Sequence, residues 1–131
     1  VEVQAVTGKA SHTTAKFLWN SLVARWGKPA AIRTDHGNEF RGAFERLVRS
    51  LNIKHQQGTT GNSKANGLVE RTIRTIKDVI RRMCTEHPTS YWSDHLASAT
   101  MLLNQTCSRA HMIPPFAVVT GQVVIPATAG F

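Results

Sequence analysis

Apolar and polar residues alternate along Val1-Glu2-Val3-Gln4-Ala5-Val6, the period of a half-buried strand, and Thr7-Gly8-Lys9 closes the run with turn chemistry. From Ser11 to Trp26 the period changes. Ala15, Leu18, Trp19, Leu22, Val23 and Trp26 recur at helical spacing until Gly27-Lys28-Pro29 breaks the pattern. Ala30 to Thr34 reads as a short strand, Asp35-His36-Gly37-Asn38 as a tight turn, and Phe40, Phe44, Leu47, Val48 and Leu51 as one face of a helix. Asn52 to Gln57 suits a second short strand, and Gly58 to Ser63 has the small polar composition of a loop. Ala65 to Met83 is the most regular helical stretch. After His87-Pro88-Thr89, the positions Trp92, Leu96, Ala99 and Leu103 mark a helix expected over Tyr91 to Ala110. Pro114-Pro115 opens a short last helix that Gly121 stops.

Alternating β and α signals with short connections predict an α/β fold, in which functional groups gather at the carboxyl ends of strands. Asp35 stands at such an end. Its ordinary reading is a turn residue whose carboxylate caps the following helix. With 131 residues, 41% of them hydrophobic, the chain is expected to form one domain over 1–131. No run of eighteen apolar residues occurs, and Val1 to Ala10 lacks a signal-peptide pattern, so a soluble intracellular protein is expected. Cys84 and Cys107 are too few for a disulfide scaffold and read as reduced, small packing residues.

Charge narrows the partner. A net +8 and a pI near 10.4 favour a polyanion, because each phosphate neutralised releases counterions; nucleic acid comes first and an acidic membrane surface second. Between Arg71 and Arg82 lie five basic residues, Arg71, Arg74, Lys77, Arg81 and Arg82, against the single acid Asp78, four of the eight excess charges. On a helical wheel Glu70, Arg74, Lys77 and Arg81 share one face, while Leu68, Val69, Ile73, Ile76, Val79, Ile80 and Met83 occupy the opposite arc, the expected core face. A solvated face usually mixes signs, whereas this one is nearly all positive, which favours a phosphate-contacting stripe. Glu70 has two readings: a helix-stabilising partner for Arg74, or a carboxylate that holds a metal beside bound phosphate.

The residues Thr34-Asp35-His36-Gly37-Asn38-Glu39-Phe40 and Asn66-Gly67-Leu68-Val69-Glu70-Arg71 resemble the second and third acidic motifs of the retroviral-type integrase catalytic core, with gypsy-like retrotransposons as the nearest look-alike. Thirty-four residues separate Asp35 from Glu70, which fits the family's order and spacing. Trp92, Asn104, Pro115-Phe116 and Gly121 are similar to the sequence downstream of the core motifs in such elements, so the resemblance covers nearly the whole chain.

It implies a ribonuclease H-like three-layer fold, with three acidic residues binding two Mg²⁺ or Mn²⁺ ions to trim DNA 3′ ends and join them to target DNA. Asp35 and Glu70 would be two of the three. By the same resemblance Arg74 and Lys77 would touch DNA, with Arg71 and Arg81 on the same basic stripe, and Asn66 would be a polar loop residue near the DNA end. DNA, a homodimer or higher oligomer, and the nucleus after cytoplasmic assembly are the implied partners and place.

The chain departs from the family pattern at three points. The first catalytic aspartate belongs to a strand upstream of the one that Val1 to Val6 resembles, so this fragment is expected to lack it, along with its first strand or strands, and to be inactive alone; Glu2 is no substitute. His36 stands where asparagine is common, and the loop before Asn66 lacks a proline often found there. Two rivals remain: a domesticated or decayed copy that binds DNA without cutting it, and a ribonuclease H-like hydrolase that cleaves without joining.

Cys84-x-x-His87 and Cys107-x-x-x-His111 look like zinc pairs, but their separation along the chain keeps four ligands from meeting. His12, His55 and His95 share no spacing and read as surface or packing residues. Trp19, Trp26 and Trp92 fall on or beside apolar helical stripes and are expected in the core.

Overall fold

A computed structural model describes residues 1–58, 63–107 and 112–122, the side chains of 63–66 excepted. The chain divides into two compact units, Glu2–Val69 and a second made of Glu70–Phe131 with Val1. In the first, helix α1 (Ser11–Phe17) continues as a π-helical turn (Leu18–Val23) and ends in a single α-helical turn, α2 (Ala24–Trp26). Gly27, at φ 83, takes a backbone conformation that a β-carbon would strain, and the helix stops there.

Strand β1 (Ala31–Thr34) leads through a 3₁₀ turn (Asn38–Phe40) to helix α3 (Ala43–Ser50) and strand β2 (Lys54–Gln57). The strands pair in parallel, Ala31 opposite Lys54 and Thr34 opposite Gln57. A parallel pair needs a crossover, and α3 supplies it. Its sequence AFERLVRS turns Phe44 and Val48 inward, where they meet Leu18 and Ile53 in a buried cluster flanked by Ala15, Leu22, Ile32, Phe40, Leu47 and Leu51. Each large side chain so buried contributes about 1.5–3 kcal/mol relative to exposure. Phe40 and Phe44 meet edge to face with centroids 5.3 Å apart.

The second unit is helical. Helix α4 (Ser63–Glu86) runs into it from the first, followed by a 3₁₀ turn (Trp92–His95), α5 (Leu96–Gln105) and α6 (Pro115–Thr120). Asp94 accepts from the Tyr91 backbone N–H at 3.1 Å and starts the 3₁₀ turn. Gly121, at φ 72, ends α6 in the left-handed conformation expected of it. Ile76, Leu96 and Ala99 are this unit's buried residues among those described.

Several expectations change. Val1 to Val6 forms no strand: alternation only permits one, a ladder partner makes it, and the described residues give this segment none. The helix expected over Tyr91 to Ala110 begins as a 3₁₀ turn and ends at Gln105, and 108–111 lie outside the described residues. On α4 the apolar arc splits. Ile76 is buried and Val79, Ile80 and Met83 are half-buried, but Leu68, Val69 and Ile73 are exposed, because their end of the helix has no apolar layer laid over it among the described residues.

Candidate functional site

Asp35 follows the last residue of β1, at the carboxyl end of the parallel pair, and its side chain is exposed. Its Oδ1 accepts the Gly37 backbone N–H at 3.0 Å, closing an Asx-turn. This corrects the expected helix cap: Gly37 and Gly42 occupy the N-cap positions of the 3₁₀ turn and of α3, and the carboxylate serves its own turn instead.

The turn is supported from below. Thr34 Oγ1 donates to the Asp35 carbonyl at 2.9 Å and lies 2.9 Å from His55 Nε2 on β2. The hydroxyl has one proton and gives it to the carbonyl, so His55 donates from Nε2. The imidazole in turn packs edge to face on Phe44, with centroids 5.5 Å apart. The buried core is thereby linked through His55 and Thr34 to the backbone that aims Asp35. Reading residue types in order misses this pair, which the register of the parallel ladder brings within reach: His55 stands opposite Ile32, on the face that Thr34 shares.

Glu39 is missed as well. Its carboxylate folds back over Gly37, so that a β-carbon there would meet Glu39 Oε2 at 2.5 Å. Gly37 thus leaves room for a second acid beside the Asp35 turn. Glu2 is engaged elsewhere, 3.8 Å from Arg25.

On α4, Glu70, Arg71, Arg74, Lys77, Arg81 and Arg82 are all exposed. Arg81 is paired with Asp78 at 2.8 Å, one turn earlier. Glu70 forms no ion pair with Arg74: among the described residues the ion pairs are Arg25–Glu2 and Arg81–Asp78. The helix-stabilising reading of Glu70 therefore lacks its contact, and Arg71, Arg74, Lys77 and Arg82 have no ion-pairing carboxylate among the described residues. The side chain of Asn66 lies outside the described residues. Asp35 belongs to the first unit and Glu70 to the second.

An exposed carboxylate with one oxygen held in a turn still offers lone pairs to a hard cation, and Asp35 and Glu70 have the donor chemistry that Mg²⁺ or Mn²⁺ prefers. Among the described residues no three His, Cys, Asp or Glu side chains form a metal cluster. Cys84 is half-buried, as a packing residue should be, but Cys107 is exposed beyond the end of α5, contrary to expectation. His95 packs by stacking on His87 at 6.0 Å and contacting Ser90 Oγ at 2.6 Å.

The three tryptophans overturn their expected burial: Trp19 is 45%, Trp26 48% and Trp92 56% exposed. For Trp19 the π-helical turn changes the angular register, so a wheel of 100° per residue no longer reports its direction. Trp26 ends its helix and Trp92 begins a 3₁₀ turn, where no neighbouring layer among the described residues covers the ring.

No protein-family model matches the chain. It is 35% identical over 105 residues to the Gag-Pol polyprotein of avian leukosis virus subgroup A, an alignment covering 74% of the chain and 6% of the polyprotein. To the retrovirus-related Pol polyprotein from transposon 412 of Drosophila melanogaster it is 28% identical over 118 residues, covering 89% of the chain and 10% of that protein. The chain thus spans a small part of the curated relatives it matches. Among solved structures, the HTLV-2 integrase catalytic core domain in complex with magnesium, in its trimeric form, aligns at a TM-score of 0.68 and 25% identity, over 83% of this chain and 70% of that one.

Proposed function

Because the chain belongs with the retroviral-type integrase catalytic cores and has their ribonuclease H-like fold, we propose that it serves DNA integration, with Asp35 and Glu70 as metal ligands and the exposed face of α4 as a DNA-holding surface. The observation that carries the reading is Asp35: an exposed carboxylate at the carboxyl end of a parallel strand, its backbone fixed by Thr34 and His55 and one oxygen fixed by Gly37. Such preorganisation is what a site needs to hold a reacting phosphodiester without rearranging.

In this proposal the Asp35 and Glu70 carboxylates would be ligands to Mg²⁺ or Mn²⁺. Bound there, a divalent cation would supply positive charge for phosphoryl transfer. The chain's own residues do the rest. Arg71, Arg74 and Lys77 bind the strand through its phosphates, and Asn66 contacts it near the end; Arg81 joins them after exchanging Asp78 for phosphate. The trimeric form of the HTLV-2 core supports assembly into a dimer or higher oligomer, and we place the activity in the nucleus, where target DNA lies.

The test is a Mn²⁺-dependent strand-transfer assay on the longest natural protein that contains this chain, compared with its Asp35→Asn and Glu70→Gln versions. Joining that falls at least about 100-fold in both, with DNA binding retained, is the expected result. A protein that binds DNA and never joins it supports a domesticated binding module instead. One that cleaves without joining supports a hydrolase.

A further inference from the structure

The cations between Arg71 and Arg82 belong to one unit and Asp35 to the other, so the charge beside Asp35 comes first from its own strand. The nearest cation to it in the chain is Arg33, two residues earlier in β1. At about 3.3 Å per residue the two α-carbons lie about 7 Å apart. The ladder holds the backbone on either side of Arg33. Ile32 pairs with His55 and Thr34 with Gln57, and beyond the last pair the Gly58 N–H donates to the Thr34 carbonyl at 2.7 Å. Thr34 Oγ1 and the Gly37 N–H then set the Asp35 turn. Arg33 therefore projects from backbone fixed relative to that turn, and a strand places a side chain more precisely than a loop does.

Its side chain faces away from the core. Ile32 packs against the buried cluster and His55 against Phe44, so the alternate positions, Arg33 and its ladder partner Gln56, lie on the other face, and both are exposed. Parallel sheets are ordinarily covered on both faces by apolar layers. Here the outer face carries a guanidinium and an amide instead. Close as it is to Asp35, Arg33 is not paired with it: the ion pairs among the described residues are Arg25–Glu2 and Arg81–Asp78. Asp35 Oδ1 takes the Gly37 N–H. The guanidinium keeps its five donors, in a planar fork, with no carboxylate to receive them among the described residues. That fork matches two oxygens of a phosphodiester.

We infer that Arg33 holds a backbone phosphate of duplex DNA beside the Asp35 carboxylate. The inference deepens the nucleic-acid reading above and rests on it for the class of partner, but not on the metal ligands or on α4. The contact is with the DNA backbone and carries no sequence preference. A carboxylate and a phosphate at this range repel one another, so the two residues are coupled: removing the charge at Asp35 tightens the phosphate on Arg33.

The test measures the affinity of the longest natural protein that contains this chain for a mixed-sequence duplex, in chelator and across a series of salt concentrations. Arg33→Gln is expected to lower the slope of log affinity against log salt by about 0.9, the share of one phosphate, and Arg33→Lys to preserve it. Lys54, exposed on the same face at the other end of the ladder, is the control, and Lys54→Gln should leave the slope unchanged. Asp35→Asn removes the repelling charge and keeps the turn, which asparagine also closes. It should tighten binding, and by more than about twofold over its effect in the Arg33→Gln background. All three positions are exposed, and unchanged circular dichroism verifies the fold. A slope that Arg33→Gln leaves unchanged, or that Lys54→Gln lowers as much, overturns the inference. So does an Asp35→Asn effect that is equal with and without Arg33, which would put the phosphate elsewhere. A protein that shows the slope and the coupling but never joins DNA in Mn²⁺ keeps the Arg33 contact and loses the metal-ligand reading. One that joins DNA and shows neither loses the Arg33 contact alone.

Discussion

The two units bury their apolar residues in different ways. In Glu2–Val69, one helix, a crossover helix and a strand pair converge on Phe44 and Val48, and the buried cluster is continuous from Leu18 to Ile53. In the second unit Ile76, Leu96 and Ala99 are buried, while Met101, Leu102, Val118 and Val119 remain exposed. The first unit has a centre that its own elements fill; among the described residues, the second shows much of its apolar surface to solvent. Stability per apolar residue should therefore be high in one and low in the other, whatever the composition of each.

Substitution can break this contrast. Phe44→Ala removes the ring that touches both Phe40 and His55, and it should cost about 3–5 kcal/mol in urea unfolding; a cost below about 1 kcal/mol would deny the first unit its centre. Ala99 has 0% exposure, so Ala99→Leu should overpack the second unit by about 1–3 kcal/mol, read by the same melt. His55→Ala should cost about 1 kcal/mol for its hydrogen bond together with the packing of its ring. It should also speed amide exchange at Gly37, whose N–H depends on the aim of Asp35. The smallest effect is expected at Val118, 68% exposed on α6: Val118→Thr should change stability by less than about 0.5 kcal/mol. A larger loss there would mean that the exposed apolar surface is covered in solution, and sedimentation would identify an oligomer.

Legibility in the sequence divides along the same line. The helix at Phe44, Leu47, Val48 and Leu51 was readable because period and burial agree when a centre exists to face. The Asp35 turn was readable because Asp, Gly and Asn have local conformational preferences that need no partner. Leu68, Val69 and Ile73 have the same helical period as the buried Ile76, yet periodicity marks only a face and cannot say what lies against it. Val1 to Val6 failed as a strand for a related reason, since pairing is a property of two segments. The π-helical turn at Leu18–Val23 is a shift in hydrogen-bond register without a residue signature, and it carried Trp19 out of the expected core. At the candidate site, Asp35 and Glu70 were named from their motifs, whereas Thr34, His55 and Glu39 became visible only when two distant strands and a folded-back side chain were in place.

The parallel pairing of β1 with β2 also ties the Asp35 turn to a distant segment of the chain. Ala31 and Lys54 are neighbours in the ladder but lie twenty-three positions apart in the chain, with α3 between them. Contacts of that separation incur loop-closure entropy before returning any stabilisation, which slows their formation. Thr34 meets His55 only across this ladder. The support for Asp35 therefore comes with the ladder: a chain whose β1 and β2 stay apart would have the Asp35 turn without His55 against Thr34.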